Sequence, residues 1–244
     1  MFISMSYLIV KVGSMTPHTT YKTIIFDLDG TLLDTWPSLL KAVRTVTPGV
    51  TTIEAAALRL ALSQGIGAMF LRATEQMELG AEATQAAIRD MERAYFGHAL
   101  SAAAPYPTID HTLTQLQGAG FTLALCTNRD RASTLALLDQ AGWRSLFSHI
   151  HCLDDGLPPK PDPAAILATL SHLQCRLPDA LFVGDSWIDA RCAAQAGVDF
   201  AAHLGGYHTH PSELAPAVLS YRHARELSLW LADRFALLPE LNHD

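Results

Sequence analysis

The stretch IIFDLDGTLLD, residues 24–34, decides the fold of this chain. Its apolar start is typical of a strand that is buried on both sides, because Thr23–Phe26 are β-branched or aromatic. Two carboxylates one residue apart, Asp27 and Asp29, follow that strand and are followed in turn by Gly30. Since ligands of an open parallel α/β sheet bind at the carboxyl ends of its strands, this stretch predicts a strand that delivers acidic side chains to a site.

Composition and charge narrow the class of protein. With 244 residues, 49% of them hydrophobic, and a formal net charge of −7, the chain is expected to form an ordinary folded core and to repel nucleic acid and anionic lipid. The four cysteines form no Cys-x-x-Cys pair, so we expect neither a zinc ribbon nor a disulfide framework, and a cytoplasmic location fits best. Residues 2–10 are apolar but too short to span a bilayer and follow no basic region, so we interpret residues 1–20 as an N-terminal extension and expect no membrane partner.

Further apolar runs resemble the first one, and most of them end in polar residues. They cover residues 121–126, 148–153, 181–183 and 200–204. Apolar residues at helical spacing separate the later runs, and this alternation of strand and helix predicts an α/β fold with a parallel sheet. Residues 220–244 are predicted to form an amphipathic closing helix with a short polar end.

The interval between the first two runs is too long for a plain crossover. Alanine-rich helical stretches occur around residues 53–74 and 81–100, whereas a strand-helix-strand unit needs about 30 residues. We therefore expect an inserted helical cap seated over the end of the first strand, with a long irregular crossover as the alternative. The predicted division is a core of residues 21–33 and 106–244 and a cap of residues 34–105.

Polar side chains stand after the predicted strands. They are Asp27, Asp29, Thr127, Asn128, Lys160, Asp185 and Asp189. We expect them to converge, because the carboxyl ends of parallel strands share one edge of the sheet. Crowded carboxylates repel one another and would not stay ionised without a compensating cation. Ligands that are all oxygen atoms favour magnesium over zinc, so Mg²⁺ is the expected cofactor.

A magnesium ion, a lysine and a threonine hydroxyl beside a free carboxylate suit a phosphate group. Asp27 would attack phosphorus and form an aspartyl-phosphate, and Asp29 would protonate the leaving oxygen and then activate water. Lys160 would stabilise charge on the transferring phosphoryl group. The helix expected after Thr127 and Asn128 would add N–H groups directed at phosphate oxygens. Thr127, Asn128 and Lys160 are thus the predicted phosphate-binding residues.

Four segments, in this order, resemble the motifs of the haloacid dehalogenase (HAD) superfamily. They are DLDGT at 27–31, TN at 127–128, KPDP at 160–163 and GDSxxD at 184–189. The resemblance covers residues 21–204 and implies a doubly wound, Rossmann-like core with an inserted small α-helical cap. Residues 58–73 look like the cap segment of the phosphoglycolate phosphatase-like and β-phosphoglucomutase-like group.

The resemblance also implies roles for individual residues. Asp27 is the implied nucleophile and Asp29 the implied acid/base, and a dehalogenase is disfavoured because dehalogenases lack that second aspartate. The implied magnesium ligands are Asp27, the Asp29 carbonyl and Asp185. Asp189 would support them, either through water or by orienting Lys160. The implied reaction is phosphatase chemistry on a small phosphorylated metabolite, with phosphoglycolate as the first candidate.

Two departures from the family pattern bear on the substrate. Arg129-Asp130 follows the second motif, where many relatives carry lysine and proline, and residues 205–208 only loosely resemble the family's Trp-Gly-Tyr-Gly stretch. A phosphomutase of the β-phosphoglucomutase type and a non-catalytic binding protein with the same fold remain alternatives. Both a monomer and a homodimer are compatible with the sequence.

Other reactive residue types are assigned structural roles. His149 with His151, and His208 with His210, form close pairs in the sequence, but neither pair has an evident third metal ligand. Cys126 ends a predicted buried strand and is interpreted as a small core residue rather than a nucleophile.

Overall fold

The computed structural model describes residues 21–47, 55–62 and 66–235. Its strands are β1 (Thr23–Phe26), β2 (Leu33–Asp34), β3 (Ala104–Pro105), β4 (Thr122–Cys126), β5 (Phe147–His151), β6 (Ala180–Gly184), β7 (Asp199–His203) and β8 (Leu219–Tyr221). Its helices are α1 (Trp36–Val46), α2 (Ala55–Leu62), α3 (Ile66–Thr74), α4 (Ala81–Ala102), α5 (Ile109–Gly118), α6 (Arg131–Ala141), α7 (Ala164–His172), α8 (Trp187–Ala196) and α9 (Ala224–Phe235).

Six of these strands form a parallel sheet in the order β5-β4-β1-β6-β7-β8. β1 lies between β4 and β6, and the chain adds β4 and β5 on one side of it before it builds the other side. The carboxyl ends of β1, β4 and β6 therefore meet where the direction of strand addition reverses, which is where open α/β sheets bind ligands. The predicted α/β fold with a parallel sheet is confirmed.

Burial on both faces explains the unbroken apolar run of β1. Ile24 and Phe26 pack in one hydrophobic cluster with residues of α5 and α9, and Ile25 packs in another with residues of α7 and α8. All three side chains are fully buried. A strand that is covered by helices on both sides has no polar face, so its sequence does not alternate.

The helices α1 to α4 form a cap with its own apolar cluster. Leu39, Phe70 and Met91 are fully buried in this cluster, and α4 packs along α1. β2 and β3 pair antiparallel, with Leu33 opposite Pro105. Both ends of the insert therefore leave the core side by side, as expected for a helical cap inserted after the first strand.

Several element boundaries differ from the predicted ones. The strand predicted at 148–153 spans Phe147–His151, and residues 220–221 lie in β8 rather than in the closing helix, which begins at Ala224. β8 pairs with β7 through only three residues, which is too short a segment to show a periodic pattern. The predicted N-terminal extension and polar end, residues 1–20 and 236–244, lie outside the described residues.

The exact domain boundaries stay a prediction. They assign residues 21–33 and 106–244 to the core and residues 34–105 to the cap. Among the described helices, none combines the length and apolarity that crossing a bilayer requires.

The buried sheet predicts which truncation will destabilise the protein. Leu181→Ala removes a fully buried side chain of β6, and a Leu→Ala change in a core costs about 2–5 kcal/mol. We expect a loss in that range in the free energy of unfolding measured with urea. Leu167→Ala is the control, since Leu167 on α7 is 40% exposed and its truncation should cost less than about 0.5 kcal/mol. Equal losses in the two variants would contradict this prediction.

Candidate active site

Asp27 and Asp29 leave β1 through a turn that needs a glycine. The Asp27 N–H donates to the Val183 carbonyl at 2.9 Å, which extends the sheet ladder past the strand. Gly30 then adopts φ +86°, a conformation that strains other residues. A Cβ at this position would also collide with the Asp185 carboxylate. Gly30 is thus required both for the turn and for the close approach of Asp185.

A buried lysine lies between two carboxylates of the site. Lys160 Nζ is 2.7 Å from Asp27 Oδ1 and 2.7 Å from Asp189 Oδ1, and the lysine side chain is only 3% exposed. Burial by itself would lower the pKa of Lys160, but the two carboxylates outweigh burial and hold that pKa well above its usual range. Lys160 is therefore a fixed positive charge beside Asp27.

The start of α8 fixes Asp189 for this contact. Asp189 Oδ2 accepts a hydrogen bond from the Ser186 N–H at 3.2 Å, and Ser186 Oγ accepts one from the Asp189 N–H at 3.3 Å. This capping box holds the Asp189 side chain at the first turn of the helix. Its second oxygen, Oδ1, is the one that contacts Lys160. Asp189 thus contacts Lys160 directly, and its role in orienting the lysine stays a prediction.

Asp185 is enclosed by the turn after β1 and by the loop after β7. Thr31 Oγ1 donates to Asp185 Oδ1 at 2.9 Å, and the Tyr207 N–H donates to Oδ2 at 2.6 Å. A Cβ on Gly206 would overlap the Asp185 carboxylate. Glycine at 206 therefore lets the main chain close over Asp185.

The carboxylates of the site are short of positive charge. Burial raises the pKa of Asp27 to about 7, with repulsion from Asp189 and Asp29 adding to the shift and Lys160 opposing it. Burial, followed by repulsion from Asp189 and Asp27, holds the pKa of Asp185 well above its usual range. The single lysine therefore does not offset the burial and mutual repulsion of Asp27 and Asp185.

Three of the carboxylates form a group that could hold a metal ion. Asp27, Asp185 and Asp189 each offer an oxygen within 4.8 Å of the others. A divalent cation would supply the missing positive charge, and an all-oxygen donor set suits Mg²⁺. The side chains therefore fit the predicted cofactor. The Asp29 carboxylate is not a member of this group, and a metal contact through the Asp29 carbonyl stays a prediction.

Thr127 and Asn128 follow β4 and line the same cavity as Asp27. Thr127 is buried, and its N–H donates to the His151 carbonyl at 3.0 Å. The Asn128 amide donates to the Lys160 carbonyl at 2.9 Å and accepts from the Lys160 N–H at 2.9 Å. In the structure Asn128 thus holds the main chain of Lys160, while its phosphate-binding role stays a prediction.

Asp29 is paired with an arginine that the sequence patterns did not single out as a site residue. Arg129 Nε donates to Asp29 Oδ2 at 3.0 Å, and its Nη2 donates to Oδ1 at 2.9 Å. Tyr95, on the cap helix α4, donates to Oδ1 at 2.9 Å and also accepts from Arg129. Burial alone would raise the pKa of Asp29, but the Arg129 charge outweighs burial and holds that pKa below its usual range. The sequence signal that could have identified Arg129 as a site residue was its position directly after Asn128, where the chain departs from the family pattern.

Two further residues that contact the site were not predicted: nothing local in the sequence marks His203, and Tyr207 lies in the stretch 205–208 that only loosely resembles the family pattern. His203 Nδ1 lies 2.9 Å from the Gly30 carbonyl, in the turn that carries the two aspartates. The Tyr207 hydroxyl accepts from the Thr35 N–H at 2.7 Å, at the base of the cap. Both contacts join segments more than 170 residues apart, so only the folded chain brings them together.

The predicted structural roles of the histidine pairs and of Cys126 stay predictions. The His149 ring lies 4.4 Å from that of His172, His151 Nδ1 is 3.8 Å from Asp155, and His210 is exposed. The metal-ligand group found in the described part of the chain contains no histidine. Cys126 is buried, and burial raises the pKa of its thiol above its usual range.

The aspartates, Thr127 and Lys160 surround a cavity of about 300 Å³ between the sheet and the cap. A fixed cation, a carboxylate group that could hold a metal ion and a hydroxyl together suit a phosphate ester, since positive charge is needed where a phosphoryl group carries negative charge.

Comparison with known proteins identifies relatives over most of the chain. Residues 24–203 match the family model of haloacid dehalogenase-like hydrolases. A phosphoglycolate phosphatase of Mesorhizobium japonicum is 32% identical over 86% of this chain and 95% of its own length. A phosphoglycolate phosphatase of Rhodospirillum rubrum is 30% identical over 91% of this chain and 98% of its own length. The crystal structure of a predicted phosphoglycolate phosphatase from Haemophilus somnus superposes with a TM-score of 0.76 at 26% identity, covering 89% of this chain and all of that one (100%).

The packing around Asp185 yields a prediction about metal binding. Gly206→Ala places a methyl group where the Asp185 carboxylate lies, so the carboxylate must move out of the group that it forms with Asp27 and Asp189. Changes next to metal ligands weaken binding by about 10–100-fold, and we expect a loss of this size for Mg²⁺ in calorimetric titration. Gly97→Ala is the control, because a Cβ on Gly97 meets nothing within 4 Å. Unchanged Mg²⁺ affinity in Gly206→Ala would contradict the assignment of Asp185.

The raised pKa of Asp27 yields a prediction about stability and pH. The folded, metal-free protein holds the Asp27 proton up to about pH 7, whereas the unfolded chain loses it near the usual value of 3.8. Stability from this group is thus present below about pH 4 and is lost as the pH rises through about 7. In EDTA, we expect the Tm of the native protein to fall relative to that of Asp27→Asn over this interval. Parallel pH profiles of the two proteins would show that Asp27 titrates normally.

Proposed function

This chain belongs to the haloacid dehalogenase-like hydrolase family and is a phosphatase, and we propose that it cleaves small phosphate monoesters through an aspartyl-phosphate on Asp27, with Mg²⁺ as its cofactor. The proposal rests above all on one observation. Lys160 Nζ contacts Asp27 at 2.7 Å, and Asp27 also belongs to the buried carboxylate group with Asp185 and Asp189.

The first step transfers the phosphoryl group to the enzyme. An Asp27 carboxylate oxygen forms a bond to phosphorus while the ester P–O bond breaks, and Asp29 gives its proton to the departing alcohol oxygen. Lys160 and the Thr127 hydroxyl bind phosphoryl oxygens as their charge increases. Bound to Asp27, Asp185 and Asp189, Mg²⁺ would supply further positive charge to the phosphoryl group.

The second step returns Asp27 to its free state. Asp29, now ionised, takes a proton from water, and the water oxygen bonds to phosphorus while the bond from phosphorus to Asp27 breaks. The two steps release the alcohol and then inorganic phosphate, so atoms and charges balance.

The environment of Asp29 suits the second step as it stands. The two hydrogen bonds from Arg129 favour the ionised carboxylate, which is the form that accepts a proton from water. The first step needs the protonated form, so the ion pair must loosen once substrate fills the cavity. Tyr95 bonds the same carboxylate from α4, and movement of the cap would therefore act directly on Asp29.

Further features of the chain support a closed site in a reducing compartment. The cap, proposed to span residues 34–105, covers the site and would exclude water during the transfer. Cys126, Cys152, Cys175 and Cys192 are all free thiols, which supports a cytoplasmic location.

The names of the relatives make 2-phosphoglycolate a candidate substrate.

Removal of the nucleophile tests the covalent mechanism. Asp27→Asn keeps the size of the side chain but cannot form the phosphoenzyme, so we expect kcat to fall by roughly a thousandfold or more while circular dichroism stays unchanged. Asp233→Asn makes the same change on an exposed position of α9 and should leave kcat unaltered. Turnover by Asp27→Asn at the native rate would eliminate Asp27 as the nucleophile.

Removal of the metal tests the cofactor. Chelation with EDTA should abolish turnover, because the buried carboxylates then lack a compensating charge, and added Mg²⁺ should restore it. Ca²⁺ serves as the comparison ion for the recovery of turnover, since its larger radius and looser coordination fit the carboxylate group less well than those of Mg²⁺. Full activity in EDTA would rule out a role for a divalent cation.

A further inference from the structure

A single peptide unit joins the cap to Asp185. It is the unit between Gly206 and Tyr207, in the loop after β7. Its N–H, on Tyr207, donates to Asp185 Oδ2 at 2.6 Å. Its carbonyl, on Gly206, accepts a hydrogen bond from Arg59 Nη2 at 3.1 Å. Because Arg59 belongs to the cap helix α2, the cap and a proposed metal ligand contact opposite sides of the same peptide.

The Arg59 guanidinium is held by aromatic rings, although the residue as a whole is exposed. It lies over the Trp36 ring at 5.4 Å and over the Tyr207 ring at 5.7 Å. A cation within about 6 Å of a ring centroid is attracted to the face of the ring. Leu62, one turn further along α2, is buried in the apolar cluster of the cap and anchors the helix. The rings and the helix thus direct a hydrogen-bond donor at the loop after β7.

The backbone of this loop depends on its hydrogen bonds for its orientation. Gly205 and Gly206 are consecutive, and glycine has access to more backbone conformations than any other residue. The bond from Arg59 to the carbonyl and the bond from the N–H to Asp185 lie on one peptide unit, and hydrogen bonds in such a chain strengthen one another. Loss of the bond from Arg59 is therefore expected to loosen the bond to Asp185.

The peptide packs directly against the Asp185 carboxylate. A Cβ on Gly206 would overlap that carboxylate, and Thr31 Oγ1 holds its other oxygen, Oδ1, at 2.9 Å. A rotation of the peptide would therefore shift Asp185 within the group that it forms with Asp27 and Asp189.

We propose that Arg59 is a positioning residue of this carboxylate group. Through the 206–207 peptide, it holds Asp185 in the geometry that binds Mg²⁺, so that the affinity for Mg²⁺ depends on a residue of the cap. The inference rests on the proposed function, in which Mg²⁺ is the cofactor. By thermodynamic linkage, bound Mg²⁺ in turn stabilises the contact between α2 and the loop after β7.

The direction of the effect separates this role from simple electrostatics. A positive charge near the site repels Mg²⁺, so charge alone predicts tighter binding of Mg²⁺ when Arg59 is replaced by an uncharged residue. Loss of a positioning contact predicts weaker binding instead.

Calorimetric titration with MgCl₂ tests the inference. Arg59→Met keeps a long unbranched side chain but removes the donors and the charge. We expect its Kd for Mg²⁺ to rise by about threefold to tenfold, less than the roughly 10–100-fold loss typical of direct neighbours of metal ligands. Arg59→Lys, which keeps a donor and the charge, should lose less affinity than Arg59→Met. Arg89→Met, on an exposed position of α4, is the matched control and should bind Mg²⁺ like the native protein.

Two outcomes of this titration are decisive. A Kd for Mg²⁺ in Arg59→Met that is unchanged, tighter or equal to that of Arg89→Met, with the circular dichroism spectrum of the native protein retained, would overturn the inference. Absence of Mg²⁺ binding by the native protein would instead overturn the proposed cofactor, and the inference with it.

A double-mutant cycle tests the route through Asp185. Gly206→Ala displaces the Asp185 carboxylate by itself, so in that background Arg59 can no longer position it. We expect Arg59→Met to change the Kd for Mg²⁺ far less in Gly206→Ala than in the native protein, because the two changes act on the same contact. An equal fold-change in both backgrounds would show that Arg59 acts by another route and would overturn the inference.

Discussion

The ion pairs of Lys160 with Asp27 and Asp189, each at 2.7 Å, are the interaction on which the rest of the site depends. Burial of charge is costly unless partners and hydrogen bonds compensate it. The surrounding structure supplies this support, since Asn128 holds the Lys160 main chain at two points and Ser186 holds Asp189. Even so, the carboxylates outnumber the lysine, and a divalent cation bound to them would supply the positive charge that is missing.

The cap and the core meet at the same carboxylates. Tyr95 reaches Asp29 from the cap helix α4, and Tyr207 reaches the base of the cap from the loop that also binds Asp185. Tyr207 further belongs to the apolar cluster of the cap. Asp29 and the carboxylate group that includes Asp185 are therefore each linked to the cap by a tyrosine, which couples the position of the cap to the proposed chemistry.

The sequence predicted the elements with strong local signals well. The buried strand β1, the parallel sheet and the helical cap follow from patterns that lie within short windows of sequence. β8 was not predicted, because three residues at a sheet edge carry no period. Asp27 and Asp185 could be named from the sequence because each directly follows a strand, whereas Lys160 lies beyond the end of β5 and could be named from its KPDP motif. Arg129 could not be assigned a partner, since an arginine after a strand is most often solvated.

By itself, the sequence determined which chemical groups stand at the ends of the strands, because strand periodicity and glycine turns are local properties. Only the tertiary structure decided how those groups pair. The contact of Arg129 with Asp29 spans 100 residues, and that of His203 with Gly30 spans 173, and no local rule selects one distant partner over another. The same holds for the active-site cavity, whose lining residues come from both the cap and the core.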